Sequence, residues 1–170
     1  MATFMELAAD RYSVRSYSQR AVEPEKMAQV LEAGRLAPTA SNKQPQRIMV
    51  ITEADGLAKV DQCTPCRFKA PAVILICYDK DACWKRDFDG AASGETDASI
   101  VTTHMMLAAH ELGLGTCWVM YFDPAKTSEL FALPENIIPA AMLPIGYPAE
   151  NADPAKQHFK RWNIEKLLIK

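Results

Sequence analysis

Long hydrophobic runs are missing from this 170-residue chain. No stretch approaches the roughly 20 apolar residues that a membrane helix needs. The opening Met1-Ala2-Thr3-Phe4-Met5-Glu6 lacks the basic and apolar regions of a secretory signal. A surplus of positive charge is missing too: 19 Lys and Arg stand against 21 Asp and Glu, for a formal net charge of −2. That balance argues against a nucleic-acid partner. Cysteine is sparse and odd in number, five in all, so no closed disulfide framework is expected and a reducing cytoplasm is the simpler setting. Histidine is rarer still, and His104 and His110, six apart, fall on different faces of a helix and make no ligand pair. Gly113-Leu114-Gly115 lacks the full dinucleotide fingerprint and follows a helix rather than a strand. The carboxylates show no pairing that points to hydrolysis. Repeats, linkers and low-complexity runs are absent as well.

What is present suits one domain spanning residues 1–170, with 49% apolar residues to build a sizeable core. Thr3 followed by Glu6 reads as a capping box that starts a short helix. Pro24 fits the first turn of a second helix, with Met27, Val30, Leu31 and Gly34 on one face and an end near Leu36. Residues 47–52 read as a strand, and 72–78 as a fully buried one, because Val73-Ile74-Leu75-Ile76 is continuously apolar. A long helix is expected from Asp97 to about Leu112, capped by Gly113 and apolar nearly all round, which suits the core or a subunit interface. A strand at 116–121, a helix after Asp123-Pro124 and a strand at 141–147 follow. Leu167-Leu168-Ile169 is apolar and suits packing on the domain or on a partner chain. Segment 79–95 has charge, glycine and aromatics without a clean period, so it reads as a loop or lid, with Trp84 and Phe88 as lid candidates. The expected class is α+β around a mixed sheet.

Two segments carry chemistry. In an extended backbone, Arg11, Ser13 and Arg15 point to one side. Two guanidinium forks and a hydroxyl then form an anion cradle, best suited to phosphate. The second is Ala37-Pro38-Thr39-Ala40-Ser41-Asn42-Lys43-Gln44-Pro45, which crowds amides and hydroxyls between two prolines where a helix pattern gives way to a strand.

Together these segments resemble the FMN-dependent nitroreductase family, whose pattern runs roughly Arg-Arg-Ser-x-Arg-x-Phe, a helix, then Ala-Pro-Ser-x-x-Asn-x-Gln-Pro-Trp. This chain has Arg11-Tyr12-Ser13-Val14-Arg15-Ser16-Tyr17, and departs in the second part by Thr39 for serine and Gln46 for tryptophan. Asp97-Ala98-Ser99-Ile100, the run from Ala108 to Trp118 and Leu143-Pro144-Ile145-Gly146-Tyr147-Pro148 extend the likeness over nearly the whole chain. The resemblance implies a central mixed or antiparallel sheet flanked by helices, in an intertwined homodimer with FMN at the interface. It also implies NADH or NADPH as reductant and a small-molecule acceptor such as a nitroaromatic or quinone.

Residue by residue, the resemblance implies that Arg11, Tyr12, Ser13 and Arg15 serve the flavin from one chain. Pro38, Thr39 and Asn42 reach in from the other, with Gln44 beside them. Trp118, Val119, Met120 and Tyr121 lay backbone along the ring, and the Tyr121 side chain narrows the pocket where many members have glycine. Lys160 and Arg161 complete the phosphate site, with His158 nearby. Such a site needs cations for the phosphate, amides for the ribityl hydroxyls and an apolar wall for the ring. No catalytic acid or base and no metal is assigned, since protons can come from water.

Cys63-Thr64-Pro65-Cys66 is the competing motif, a redox dithiol or half a zinc site. The remaining Cys77, Cys83 and Cys117 supply no second CxxC, and a structural pair is the simpler reading. Two other function classes stay open: a flavin-binding or sensory protein without steady turnover, and a thiol-redox protein using Cys63 and Cys66.

Overall fold

Val73, Ile74, Leu75 and Ile76 are each wholly excluded from water, and the architecture follows from covering both faces of the strand that carries them. The computed structural model describes residues 3–169. Its strands are β1 (Gln46–Ile51), β2 (Ala72–Asp79), β3 (Gly115–Thr116) and β4 (Ile137–Gly146), in the spatial order β1-β2-β4-β3. Every pairing between these strands is antiparallel. The mixed sheet expected from the sequence is thus antiparallel, and its parallel component is a single bridge from Ser13 to Thr116.

Alternation along β2 divides its side chains between two cores. Ile74 and Ile76 join Val30 of α2 (Pro24–Leu36) and Val101 and Met105 of α4 (Gly94–Glu111). Val73, Leu75 and Cys77 face the other way, toward Val60 and Cys63 of α3 (Ala54–Cys63), with Leu130 at the end of α5 (Pro124–Leu130) packed against them. The result is a sheet with helices on both sides. Among the described residues no helix is long and apolar enough to cross a membrane.

Local chemistry sets the helix ends. Thr3 and Glu6 form the expected capping box on α1 (Phe4–Asp10). Pro24 opens α2, which buries Met27, Val30 and Gly34. At the end of α4, Gly113 takes φ +77°, donating to the His110 carbonyl at 3.0 Å while Leu114 donates to Ala109 at 2.8 Å. This is the Schellman arrangement, and glycine adopts its left-handed residue without strain.

Four expectations need correction. Helix α4 starts at Gly94 rather than Asp97, with Ser93 as its N-cap. The strand expected at 116–121 pairs only through Gly115–Thr116 and a bridge from Val119 to Met142. Pro144, in the facing strand, has no N–H to offer, so the ladder lapses between them. Strand β4 begins well before residue 141, because a register shift between Ile76 and Cys77 accommodates its early part around Pro139. Finally, Leu167, Leu168 and Ile169 are 62%, 61% and 102% exposed, so the apolar tail does not pack on its own chain.

Leu143 stands at 0% exposure in the middle of β4. Leu143→Ala is expected to cost about 2–5 kcal/mol in urea unfolding. A loss below about 1 kcal/mol would show that this face of the sheet is not close-packed.

Candidate functional site

Arg11 leaves α1 with φ −61° and ψ 127°, so the chain emerges extended and the alternate spacing of Arg11, Ser13 and Arg15 operates as on a strand. Ser13 bridges Thr116, and the Val14 N–H donates to the Thr116 carbonyl at 2.9 Å. Gly115 permits that approach: a Cβ there would stand 2.6 Å from Val14 Cγ2. The Tyr17 hydroxyl lies 2.9 Å from the Val14 carbonyl and 3.2 Å from that of Pro144, and burial pushes it above the ordinary phenol range. On the other side, Ser18 N–H donates to Tyr147 at 2.9 Å, Ala149 N–H to Ser16 at 3.0 Å, and the Tyr12 hydroxyl to Ala152 at 2.7 Å.

The C-terminal segment returns over this platform. His158 meets the edge of Tyr12 with ring centroids 6.3 Å apart. Burial lowers the Arg11 guanidinium below its ordinary value, and the like charge of Arg161 adds to the effect. Burial raises the Cys117 thiol, while Arg15, Ser13 and Arg11 beside it oppose that rise. Arg11, Ser13 and Arg15 thus gather next to β3, with Arg161 near enough to act on Arg11. Among the described residues, none of Arg11, Arg15, Lys160 or Arg161 enters an ion pair. Like charges held together outside any ion pair create a field that an anion relieves. Lys160 is exposed, and no polar contact draws its ammonium into this group.

The second predicted group lies elsewhere. Thr39, Asn42 and Gln44 sit on a turn after α2, where the Gln44 N–H donates to Thr39 Oγ1 at 3.0 Å and Gln44 Nε2 to the Asn42 carbonyl at 3.3 Å. Pro38, Asn42 and Gln44 are exposed. The turn touches the start of α4, where Ala40 N–H donates to Asp97. The cradle adjoins the other end, where Asp10 and Arg11 act on His110. About 20 Å of helix separates the two groups within one chain.

Trp118, Val119, Met120 and Tyr121 follow β3. Val119 is buried by its bridge to Met142, whereas Met120 and Tyr121 are 72% and 76% exposed. Among the described residues the backbone N–H groups of Trp118, Met120 and Tyr121 find no acceptor, and the buried Trp118 Nε1 has no partner. These are free donors beside an apolar surface.

The profile of the Nitroreductase family matches residues 8–65 and 65–147. The chain belongs to the nitroreductase family. A protein of Methanothermobacter thermautotrophicus, provisionally named NADH dehydrogenase/NAD(P)H nitroreductase, is 30% identical over 93% of this chain and 87% of its own. A solved nitroreductase family protein from Clostridium difficile 630 is 44% identical, covers 99% of this chain and 98% of its own, and superposes with a TM-score of 0.93. The FMN reductase [NAD(P)H] of Bacillus subtilis is 27% identical over 84% of this chain and 65% of its own.

Within the chain, Cys63 ends α3 and lines a cavity of about 320 Å³ together with Pro65, Tyr121, Phe122 and Asp123. The Thr64 hydroxyl donates to the Tyr121 carbonyl at 2.5 Å, tying the CxxC turn to the strand that carries Met120 and Tyr121. All five thiols are free, and among the described residues no cluster of three or more ligands could hold a metal. The motif sits at a helix C-terminus, where the dipole opposes a thiolate. The other missed element, α3 itself, is what delivers Cys63 to this wall.

Cys66 alone among the thiols is not buried, and burial holds Cys77 up at about 12. Iodoacetamide at neutral pH is expected to label Cys66 first and Cys77 last, read by peptide mass spectrometry. Early labelling of Cys77 would contradict the packing of β2.

Proposed function

We propose that the protein is an FMN-dependent oxidoreductase that uses NADH or NADPH to reduce a small-molecule electron acceptor such as a nitroaromatic or a quinone. The observation that carries this reading is the grouping of Arg11, Ser13 and Arg15 beside β3, with Arg161 near Arg11 and, among the described residues, none of these arginines in an ion pair. Family membership and the likeness to an FMN reductase support it. The residues fit the cofactor: the guanidinium groups and Ser13 suit its phosphate, and the unpartnered N–H groups of Met120 and Tyr121 suit polar atoms at a ring edge. When bound, FMN supplies the two-electron chemistry between nicotinamide and acceptor.

The chain's own residues bind, orient and exclude. Arg11 and Arg15 neutralise the phosphate, and the Gly115–Val14 contact keeps them in place. Val119 anchors the strand whose outward residues, Met120 and Tyr121, face the ligand space. No side chain needs to donate a proton, because solvent reaches both.

The reading includes a homodimer. The cradle and the Thr39–Asn42 turn lie at opposite ends of α4, so one copy of the chain does not present both to one flavin, whereas a second copy does. Phe4, Phe159, Trp162 and Leu167 are 67%, 72%, 73% and 62% exposed, an apolar surface that a second copy covers. The cytoplasm is the compartment we assign, in keeping with five unpaired thiols.

The protein purified from cells is expected to show flavin absorption bands that bleach under argon with NADH or NADPH. A colourless chain that also fails to take up added FMN would refute the assignment. Arg15→Ala is expected to weaken FMN binding by about 1–2 kcal/mol, the worth of a charge-assisted contact, as read by flavin fluorescence titration. Unchanged affinity would remove Arg15 from the site. Sedimentation velocity is expected to give twice the 18.9 kDa chain mass, and a monomer at micromolar concentration would rule out the two-chain site.

A further inference from the structure

Asp97 has the appearance of a helix cap but is not used as one. Helix α4 begins at Gly94, so Asp97 already lies inside its first turn. Ser93, the residue at the cap, makes no side-chain cap bond. Its hydroxyl instead donates to Asp97 Oδ2 at 2.7 Å, while the Ala40 N–H donates to Asp97 Oδ1 at 2.9 Å. Asp97 is 1% exposed, and no cation pairs with it among the described residues. A buried carboxylate without a counter-ion is expensive to keep. Its neighbours on α4, Ala98 and Val101, are apolar and buried, so the core itself does not call for a charge there.

What the carboxylate does is join three segments. One is the start of α4. Another is the excursion 84–93, a small hairpin closed by Ser93 N–H donating to Trp84 at 3.0 Å and Arg86 N–H to Ala91 at 2.9 Å. The last is the turn that follows α2, where Ser41, Asn42 and Gln44 take φ of 50°, 51° and 50°. None is glycine, and L side chains seldom occupy this left-handed region. Three such residues in four positions hold their shape only under constraint. Bonds within the turn supply part of it, and the bond from Ala40 to Asp97 ties the turn to α4. A cavity of about 420 Å³ opens at the same place, lined by Ala40, Trp84, Arg86, Ser93 and Thr96 together with Asp97. That volume suits a small aromatic acceptor.

We propose that Asp97 is a positioning residue for the flavin site, acting through the turn that carries Pro38, Thr39 and Asn42 and linking it to the 84–93 hairpin. This rests on the FMN reading above. The two carboxylate oxygens are taken up by Ser93 and Ala40, so Asp97 acts through these neighbours. It fixes the direction in which Thr39 and Asn42 are presented to a second copy's flavin, and holds the cavity wall in register with them.

The test measures the FMN Kd by fluorescence titration, with urea unfolding of the flavin-free protein alongside, for wild type and for Asp97→Ala, Asp97→Asn and Ala40→Pro. The last removes the donor N–H and adds a proline ring at the first position of the turn, and the extended Thr39 before it, φ −132° and ψ 156°, tolerates a following proline. Asp97→Ala and Ala40→Pro are each expected to raise Kd at least tenfold, and the double variant no further, since both break one bond. Asp97→Asn keeps an acceptor for Ala40 and is expected to return Kd to within about threefold of wild type. If Asp97→Ala does not fold, Ala40→Pro and Asp97→Asn carry the test. Lowered stability with Kd within twofold of wild type would overturn the proposal, as would additive losses. A wild type that binds no FMN would instead sink the flavin reading itself.

Discussion

A strand with no solvated face imposes more on a fold than any single contact. Strand β2 runs Val73-Ile74-Leu75-Ile76 without a polar residue, and each of these side chains is excluded from water. Burial of this kind is worth about 25 cal/mol per Å², but only if cover exists on both sides. Helices α2 and α4 supply one cover, α3 and the end of α5 the other. The antiparallel neighbours β1 and β4 satisfy the backbone between them. Every feature of the candidate site is attached to one of these parts: the cradle to β3 and β4, the left-handed turn to α4, and Cys63 to the end of α3.

Placement of the cradle depends on a missing methyl group. Val14 can lie against β3 because residue 115 has no Cβ. Once Val14 is seated, the Tyr17 hydroxyl between the Val14 and Pro144 carbonyls locks the segment to the central strand. Arg11 and Arg15 are then held on the same side by the period of an extended chain. The gathering of like charge there is an arrangement imposed by packing, and its field favours an anion. The separation of the cradle from the Thr39–Asn42 turn follows from the same rigidity, since an 18-residue helix does not bend to bring them together.

Much of this was legible in the residues, for identifiable reasons. Pro24, the run 73–76, Gly113 and Asp123-Pro124 mark elements through local physics, and local physics decided them: Pro at a first turn, a continuous apolar strand, a left-handed cap, and Asp123 accepting from Lys126. The cradle was readable because strand periodicity alone places three side chains together. Helix α3 was not, being ten residues long, with Gly56 inside it and Glu53 as an N-cap without a side-chain bond. Asp97 misled because a good capping residue is recognised by type, whereas here a tertiary partner, Ala40, had claimed its carboxylate. The shortened β3 ladder was hidden because the cause, Pro144, lies nearly thirty positions away in sequence. Nearness of Arg161 to Arg11 came from the family likeness, since no local signal spans that separation.

The antiparallel pairing of β2 with β4 has a bearing on biosynthesis. Residues 73–76 leave the ribosome long before residues 141–144 that will lie beside them. At ordinary elongation rates, roughly 5–20 residues per second, the nascent chain carries that apolar run for several seconds before β4 arrives, with β1, α2 and α3 made before it and α4 following. The first half can form a hairpin-like pair but cannot close either core. For this interval the growing polypeptide presents a sticky, strand-prone edge of the kind that chaperones capture, and synonymous changes that slow translation between β2 and β4 lengthen the exposure.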